Sequence, residues 1–223
     1  MKMADLVASD MSLLSILQRL DITLGFGEAT VAEVCVQHNI SADLLLMICN
    51  IYSFRDYHPQ IETLTDDDIR SITTYLRASH RFYSTICFPA LHNNIHRMVK
   101  ELDEVSRRLI DKFFDDYDNE VNSHFKYEEE VVFPYIDSLL GNGLNGNKEY
   151  NIALFEHNHG NINEKLNDLG NIIIKYLNKD YTSQLRYEIL GEIHYISNDL
   201  MKHSDIENKL LVPLVEKIEQ RHE

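Results

Sequence analysis

The sequence has few of the residues that turn-rich, cross-linked or membrane-spanning proteins need. Only 8 glycines and 4 prolines occur in 223 residues, which disfavours a β protein with many tight turns. The cysteines, Cys35, Cys49 and Cys87, are odd in number and widely spaced, so we expect reduced thiols in the cytoplasm and no disulfide framework. No apolar run reaches the roughly 18 residues of a membrane span, and we expect neither a span nor a signal peptide.

Positive charge is also scarce. The chain carries 21 lysines and arginines against 36 aspartates and glutamates, a formal net charge of −15. Such a chain repels phosphate groups, so we expect no nucleic-acid partner and no binding to an anionic membrane. Short helices near the amino terminus could form a helix-turn-helix, but that segment is acidic too, which is the wrong sign for a DNA reader.

Helical periodicity runs through most of the chain, and no alternating strand pattern of useful length occurs, so we predict an all-α fold. Residues 1–55 predict a small helical N-terminal domain, 56–65 a linker, and 66–223 one four-helix bundle. Within the N-terminal domain, helices are expected at three places: Met11–Arg19, Val31–His38 and Ala42–Ser53.

Eleven histidines are many for this length, and two of them begin a repeated pattern. His124 is followed by Glu128 and, ten residues after the histidine, by a proline; His203 is followed in the same way by Glu207 and a proline. Residues four apart lie on one helix face, about 5–6 Å apart at Cβ. The imidazole and carboxylate of each pair can therefore reach one metal ion or two adjacent ones, and the repetition favours a metal site over two chance surface pairs.

An earlier histidine precedes each pair at a similar distance. His80 lies 44 residues before His124, and His157 lies 46 residues before His203. His159 competes with His157 for that position, because it lies 44 residues before His203. Side chains two apart on a helix point in different directions, so both cannot face the core. We prefer His157.

This spacing predicts an up-down-up-down bundle with one histidine at the same height on each helix. The turns should then fall midway between consecutive histidines. Two midpoints coincide with polar loops, at Gly141–Asn147 and Asn178–Ser183, and the third falls at Leu102-Asp103, where Asp103 can cap a helix. Pro89 is expected to kink the first helix.

Four histidines and two glutamates form a nitrogen and oxygen donor set without thiolate. A structural zinc site would favour cysteine, and calcium or magnesium would favour oxygen alone. Two bridging carboxylates would leave two histidines per metal, close to the two-histidine, one-carboxylate pattern of non-haem iron. Iron is the first choice, with manganese and zinc left open, and open positions would take a small ligand such as dioxygen or nitric oxide.

These residues resemble those of hemerythrin-like proteins and, within them, the RIC (repair of iron centres) di-iron family. The segments His124–Pro134, Glu156-His157 and His203–Pro213 match its three motifs. Its four histidines and two bridging glutamates fall at six positions: His80, His124, Glu128, His157, His203 and Glu207. The resemblance implies two iron ions joined by these carboxylates and an oxo or hydroxo bridge. Oxygen-carrying hemerythrins differ in two ways. They have a further histidine where this chain has Asn161, and their last carboxylate is an aspartate five residues after the last ligand histidine, whereas Glu207 lies four residues after His203.

The segments Met3–Val7 and Thr30–Cys35 resemble the short domain that precedes the bundle in RIC proteins, but the usual pair of adjacent cysteines is missing. The family role implied is that of a cytoplasmic stress-response protein. It would repair iron–sulfur clusters damaged by nitric oxide or oxidants by supplying iron, with the damaged iron–sulfur proteins as partners.

A non-catalytic sensor or carrier of dioxygen or nitric oxide is the alternative function, and an acidic bundle with adventitious histidines is a third interpretation. Whether the protein is an enzyme, and whether it forms a homodimer, are left open.

Overall fold

The structure is a computed structural model that describes residues 1–141, 150–158, 162–177 and 184–222, with backbone alone at 156–158, 162–163 and 222. The regular elements of these residues are helices, and the one β feature among them is an isolated antiparallel bridge between Lys2 and Thr30. The predicted all-α fold is confirmed. The loops predicted at 141–147 and 178–183 lie outside the described residues, except for Gly141.

The α-helices, in chain order, are α1 (Met3–Ser9), α2 (Leu14–Arg19), α3 (Val31–His38), α4 (Ala42–Ser53), α5 (Asp66–Phe82), α6 (Phe88–Val99), α7 (Glu104–Tyr127), α8 (Phe133–Leu140), α9 (Ile152–Asn158), α10 (Ile162–Lys175), α11 (Gln184–Ile206) and α12 (Val212–His222). Short 3₁₀ turns lie at Met11–Leu13 and Ile61–Thr63. Five-residue π-helical segments join three pairs of these helices: π1 (Tyr83–Cys87), π2 (Glu128–Val132) and π3 (Glu207–Leu211).

Side-chain caps explain where the N-terminal helices begin. α3 and α4 have the predicted bounds. At α3, Thr30 Oγ1 accepts a hydrogen bond from the amide of Glu33, whose carboxylate accepts one from the amide of Thr30 in return. The predicted helix Met11–Arg19 begins instead as a 3₁₀ turn, because Asp10 accepts hydrogen bonds from both the amide and the hydroxyl of Ser12 and tightens the first turn. α1 was not predicted.

The turn between α6 and α7 falls where the histidine spacing predicts it. Asp103 Oδ1 accepts hydrogen bonds from the amides of Val105 and Ser106, both at 3.0 Å. Two orphan donors at the start of α7 are thereby satisfied. The prediction that Asp103 caps this helix is confirmed.

The chain divides into two compact units. The first comprises Met1–Ser79, Val132–His157 and Lys202–Glu223, and the second comprises His80–Val131 and Asn158–Met201. The domain boundary predicted between residues 55 and 66 lies inside the first unit and stays a prediction.

In the first unit, buried polar contacts tie the N-terminal helices to later parts of the chain. Arg19 on α2 is 5% exposed and donates from Nη1 to the hydroxyls of Tyr52 on α4, at 2.8 Å, and Tyr75 on α5, at 3.2 Å. Lys202 Nζ donates to the carbonyl of Ile51 at 2.9 Å. These bonds fix α2 and α4 against α5 and the end of α11.

In the second unit, residues of π1, α6, α7, α10 and α11 share one apolar core. Its fully buried members include Tyr83, Leu91, Val121, Leu166 and Ile189. This core packs the helices of the second unit against one another.

Among the described residues, no single helix combines the length and the apolar character needed to cross a bilayer. The bent pair α3 and α4, with 114° between the two helices, meets those criteria jointly.

Candidate metal centre

The two repeated His–Glu pairs lie where α7 and α11 pass into π segments. His124 Nε2 lies 2.6 Å from Oε1 of Glu128, the first residue of π2. His203 Nε2 lies 3.1 Å from Oε1 of Glu207, the first residue of π3. Both carboxylates are fully buried. Each pair therefore presents nitrogen and oxygen donors to the interior from one helix face.

Within the second unit, Glu128 also contacts His80. His80 Nε2 lies 2.8 Å from Oε2 of Glu128, so this carboxylate lies between the imidazoles of His80 and His124. The other ring nitrogen, Nδ1, lies 2.9 Å from Oε1 of Glu129. A carboxylate on the second nitrogen fixes the ring and raises the basicity of the first, as is usual for metal-binding histidines. Glu129 was not among the predicted residues; the run of three glutamates at 128–130 is the signal that could have pointed to it.

Phe125 packs against both of these histidines. Its ring stacks on His80 with centroids 4.3 Å apart and 19° between the planes, and it lies 6.0 Å from His124. Tyr83 continues the stack at 5.8 Å and 20° from Phe125, and its hydroxyl donates to Asp199 Oδ2 at 2.6 Å. Apart from His124, these side chains are buried. Apolar rings thus shield one face of the His80 imidazole from water.

Four of the predicted ligands are buried, namely His80 and Glu128 in the second unit and His203 and Glu207 in the first. Imidazole nitrogen with carboxylate oxygen suits iron, manganese or zinc. A cation also fits the electrostatics, because buried carboxylates need compensating charge. If Nδ1 of His80 donates to Glu129, lone pairs of Nε2 and of Glu128 would face each other at 2.8 Å unless a proton or a metal ion lies between them.

The sequence from residue 71 to residue 215 matches a family model described as the hemerythrin HHE cation binding domain. This span is more than half of the chain and includes all six predicted ligands. The chain belongs to the hemerythrin family.

Two curated relatives share part of this hemerythrin sequence, and both are named iron-sulfur cluster repair protein YtfE. The protein from Pectobacterium atrosepticum is 31% identical over 98 residues, which are 43% of this chain and 41% of the relative. The protein from Edwardsiella ictaluri is 30% identical over 111 residues, 48% of this chain and 46% of the relative. The chain therefore matches less than half the length of each. The predicted resemblance to the RIC, hemerythrin-like family is confirmed, and no solved structure gives a significant match.

Two further ligand candidates of the hemerythrin domain fall beyond what the structure describes. His157 lies in α9, but its side chain is outside the described residues, and His159 is outside them altogether. The choice between these two, and the full set of six ligands, stay predictions. The side chain of His222 is likewise not described, and none of the other histidines is buried: His38, His58, His92, His96 and His194.

The prolines that follow the ligand motifs mark the π segments, which sequence reasoning missed. Three prolines each lie six residues after the first residue of a π segment: Pro89, Pro134 and Pro213. A proline in a regular α-helix loses a hydrogen bond and collides with the carbonyl four residues earlier. A π turn shifts the hydrogen bonding by one residue and relieves that conflict. The prediction that Pro89 simply kinks the helix was incomplete, because a π segment precedes it. The hemerythrin domain therefore contains a third π segment followed by a proline.

The first residue of each π segment is fully buried, and these residues are Tyr83, Glu128 and Glu207. Two of them are predicted metal ligands. The sequence contained a signal for the third π segment, because each of the three prolines follows an apolar residue, at 88–89, 133–134 and 212–213.

Proposed function

We propose that this hemerythrin domain binds two iron ions through six side chains: His80, His124, Glu128, His157, His203 and Glu207. The observation that carries the proposal is the repeated His–Glu contact at the start of π2 and π3, in which each carboxylate is fully buried. The cation-binding description of the matched family supports it.

Glu128 and Glu207 bridge the two ions in this proposal. The two oxygens of Glu128 face different imidazoles, with Oε1 at His124 and Oε2 at His80. A carboxylate whose oxygens are directed at different ligands is disposed to bind a different ion with each oxygen. Two negative charges also offset part of the charge of two iron ions in a buried site. Iron bound there would supply a redox-active ion that can be taken up and released.

The function that fits this site best is the repair of iron–sulfur clusters damaged by nitric oxide or oxidants, with the domain supplying the iron. The names of the two YtfE relatives support it. Cluster sites hold iron through cysteine thiolates, which are softer donors than the nitrogen and oxygen set here. This difference favours transfer of iron from the His–Glu site to the thiolates of the cluster site.

The partners proposed are damaged iron–sulfur proteins, and the location proposed is the cytoplasm. The cysteines Cys35, Cys49 and Cys87 are all buried free thiols, which suits a reducing compartment. The net charge of −15 supports the absence of a nucleic-acid partner.

Cluster recovery tests this function. Iron-loaded protein is mixed without oxygen with an enzyme whose four-iron cluster has been damaged by nitric oxide, and the return of cluster absorbance and enzyme activity is followed. We expect recovery with the unchanged protein and little with His203→Ala, which should also lose iron. His194→Ala is the matched control, since His194 is an exposed histidine on the same helix.

Equal recovery with His203→Ala and the unchanged protein would contradict the proposal. Reversible binding of nitric oxide by a protein that keeps its iron and restores no cluster would support the sensor or carrier instead.

A further inference from the structure

The first position of π1 differs chemically from the corresponding positions of π2 and π3. It holds Tyr83, whereas the other two hold the predicted bridging glutamates. Tyr83 is fully buried, and its hydroxyl donates to Asp199 Oδ2 at 2.6 Å. Asp199 is itself 5% exposed. A hydrogen bond to a carboxylate is short and strong, so it holds the phenol firmly.

The ring of Tyr83 transmits this restraint to His80 through Phe125. Centroids lie 5.8 Å apart between Tyr83 and Phe125 and 4.3 Å apart between Phe125 and His80, with the planes within 20° in both contacts. On its nitrogen edge, His80 is held at Nδ1 by Glu129, whose side chain is 37% exposed and therefore freer to move. Glu128 and Glu129 contact the two ring nitrogens of His80, whereas Phe125 packs on the face of the ring and restrains the plane of the imidazole.

We propose that Tyr83 and Asp199 are a positioning pair that fixes the His80 ring through Phe125 and thereby raises the affinity of the site for metal. This inference rests on the metal centre proposed above. The pair acts on His80 through the ring of Phe125. The pair keeps the His80 ring near one orientation before an ion binds, so less conformational entropy is lost on binding.

The test compares Tyr83→Phe with Tyr135→Phe. Each variant loses one hydroxyl bound to a carboxylate, since Tyr135 Oη donates to Glu219 Oε1 at 2.5 Å in the first unit. Affinity for ferrous iron is measured without oxygen against a competing chelator, and cobalt(II) is used as a second probe because its visible bands report ligand geometry. The melting temperature of each metal-free variant is also measured.

We expect Tyr83→Phe to weaken iron binding about tenfold, the lower end of the effect of residues that orient metal ligands, and to shift the cobalt bands. Tyr135→Phe should lower the melting temperature but leave the affinity and the bands unchanged. Unchanged affinity and bands in Tyr83→Phe would overturn the proposal, and so would an equal loss of affinity in Tyr135→Phe.

Changes at Asp199 separate positioning from charge. Asp199→Asn keeps an oxygen that can accept from Tyr83 and should retain most of the affinity, whereas Asp199→Ala should behave like Tyr83→Phe. Equal losses in both Asp199 variants would contradict the positioning role. His80→Ala is measured alongside: if it keeps full metal binding, the metal centre itself is wrong, and if it loses metal while Tyr83→Phe does not, only the positioning pair is wrong.

Discussion

Glu128→Gln is the change that probes the metal centre with the least disturbance of shape. The side chain keeps its volume but loses one negative charge. Glu128 is fully buried, and its oxygens lie 2.6 Å from His124 and 2.8 Å from His80. Because the position is buried, water cannot compensate for the lost negative charge. The variant should therefore fold but bind iron weakly.

The size of the effect follows from linkage between binding and folding. Metal that binds only the folded chain stabilises it by about 2.7 kcal/mol when free metal is about 100 times the dissociation constant. For a chain of this size each kcal/mol moves the melting temperature by roughly 2–4 °C, so iron should raise it by about 5–11 °C. If Glu128→Gln weakens binding about 100-fold, the same free iron stabilises the variant by only about 0.4 kcal/mol, a shift of about 1–2 °C.

Scanning calorimetry without oxygen, at one buffered concentration of free ferrous iron, measures this difference alongside the iron content per chain. Glu130→Gln is the matched control. Glu130 lies in the same π segment, but its side chain is 64% exposed and its carboxylate faces Lys126 Nζ at 3.9 Å. A Glu128→Gln variant with the full iron-induced shift would refute the reasoning, and so would a Glu130→Gln variant that loses the shift.

Two further substitutions and one labelling experiment test the fold. Arg19→Ala should lower the free energy of unfolding in urea by about 3 kcal/mol, because it removes the buried donor shared by Tyr52 and Tyr75 and leaves a cavity; a loss below about 1 kcal/mol would count against this role. Hydrogen bonds from the hydroxyl and the amide of Ser106 hold the pKa of Asp103 below its usual value of 3.8. The stabilisation from Asp103 is therefore fully present above about pH 4 and is lost as the pH falls through the lower folded pKa. Asp103→Ala should lower the melting temperature at about pH 7, and this difference from the unchanged protein should shrink as the pH falls below about 4. Burial raises the pKa of Cys49 to about 12, so at about pH 8 its thiol should react with an alkylating reagent only as the chain unfolds, and rapid labelling of the folded protein would contradict this.

Features that depend on neighbouring residues were predictable from the sequence. The caps at Thr30 and Asp103 act within three residues, so the starts of α3 and α7 follow from short stretches of sequence. The contact between His124 and Glu128 follows from helical spacing in the same way. The all-α fold could be predicted from helical periodicity, the absence of an alternating strand pattern and the scarcity of glycine and proline.

Contacts between distant residues were not predictable from one sequence. His80 meets Glu129 across 49 residues, and Tyr83 meets Asp199 across 116. Periodicity shows which face of a helix is apolar but not which helix it meets. The π segments escaped detection for a related reason, since one additional residue barely changes an apolar pattern read over three or four turns.

The π segments make the candidate site depend on the length of the chain as well as on its side chains. Each contains one residue more than the α-helical turn it replaces, so the residues before and after it are out of step by about 100°. Deleting a single exposed residue such as Asn208 would restore a regular helix. It would also rotate Glu207 by that angle relative to the buried residues of α12. Scanning by substitution would not reveal this dependence, whereas scanning by deletion would. A relative with a one-residue gap between this glutamate and Pro213 would lack the geometry of the site even if every ligand were present.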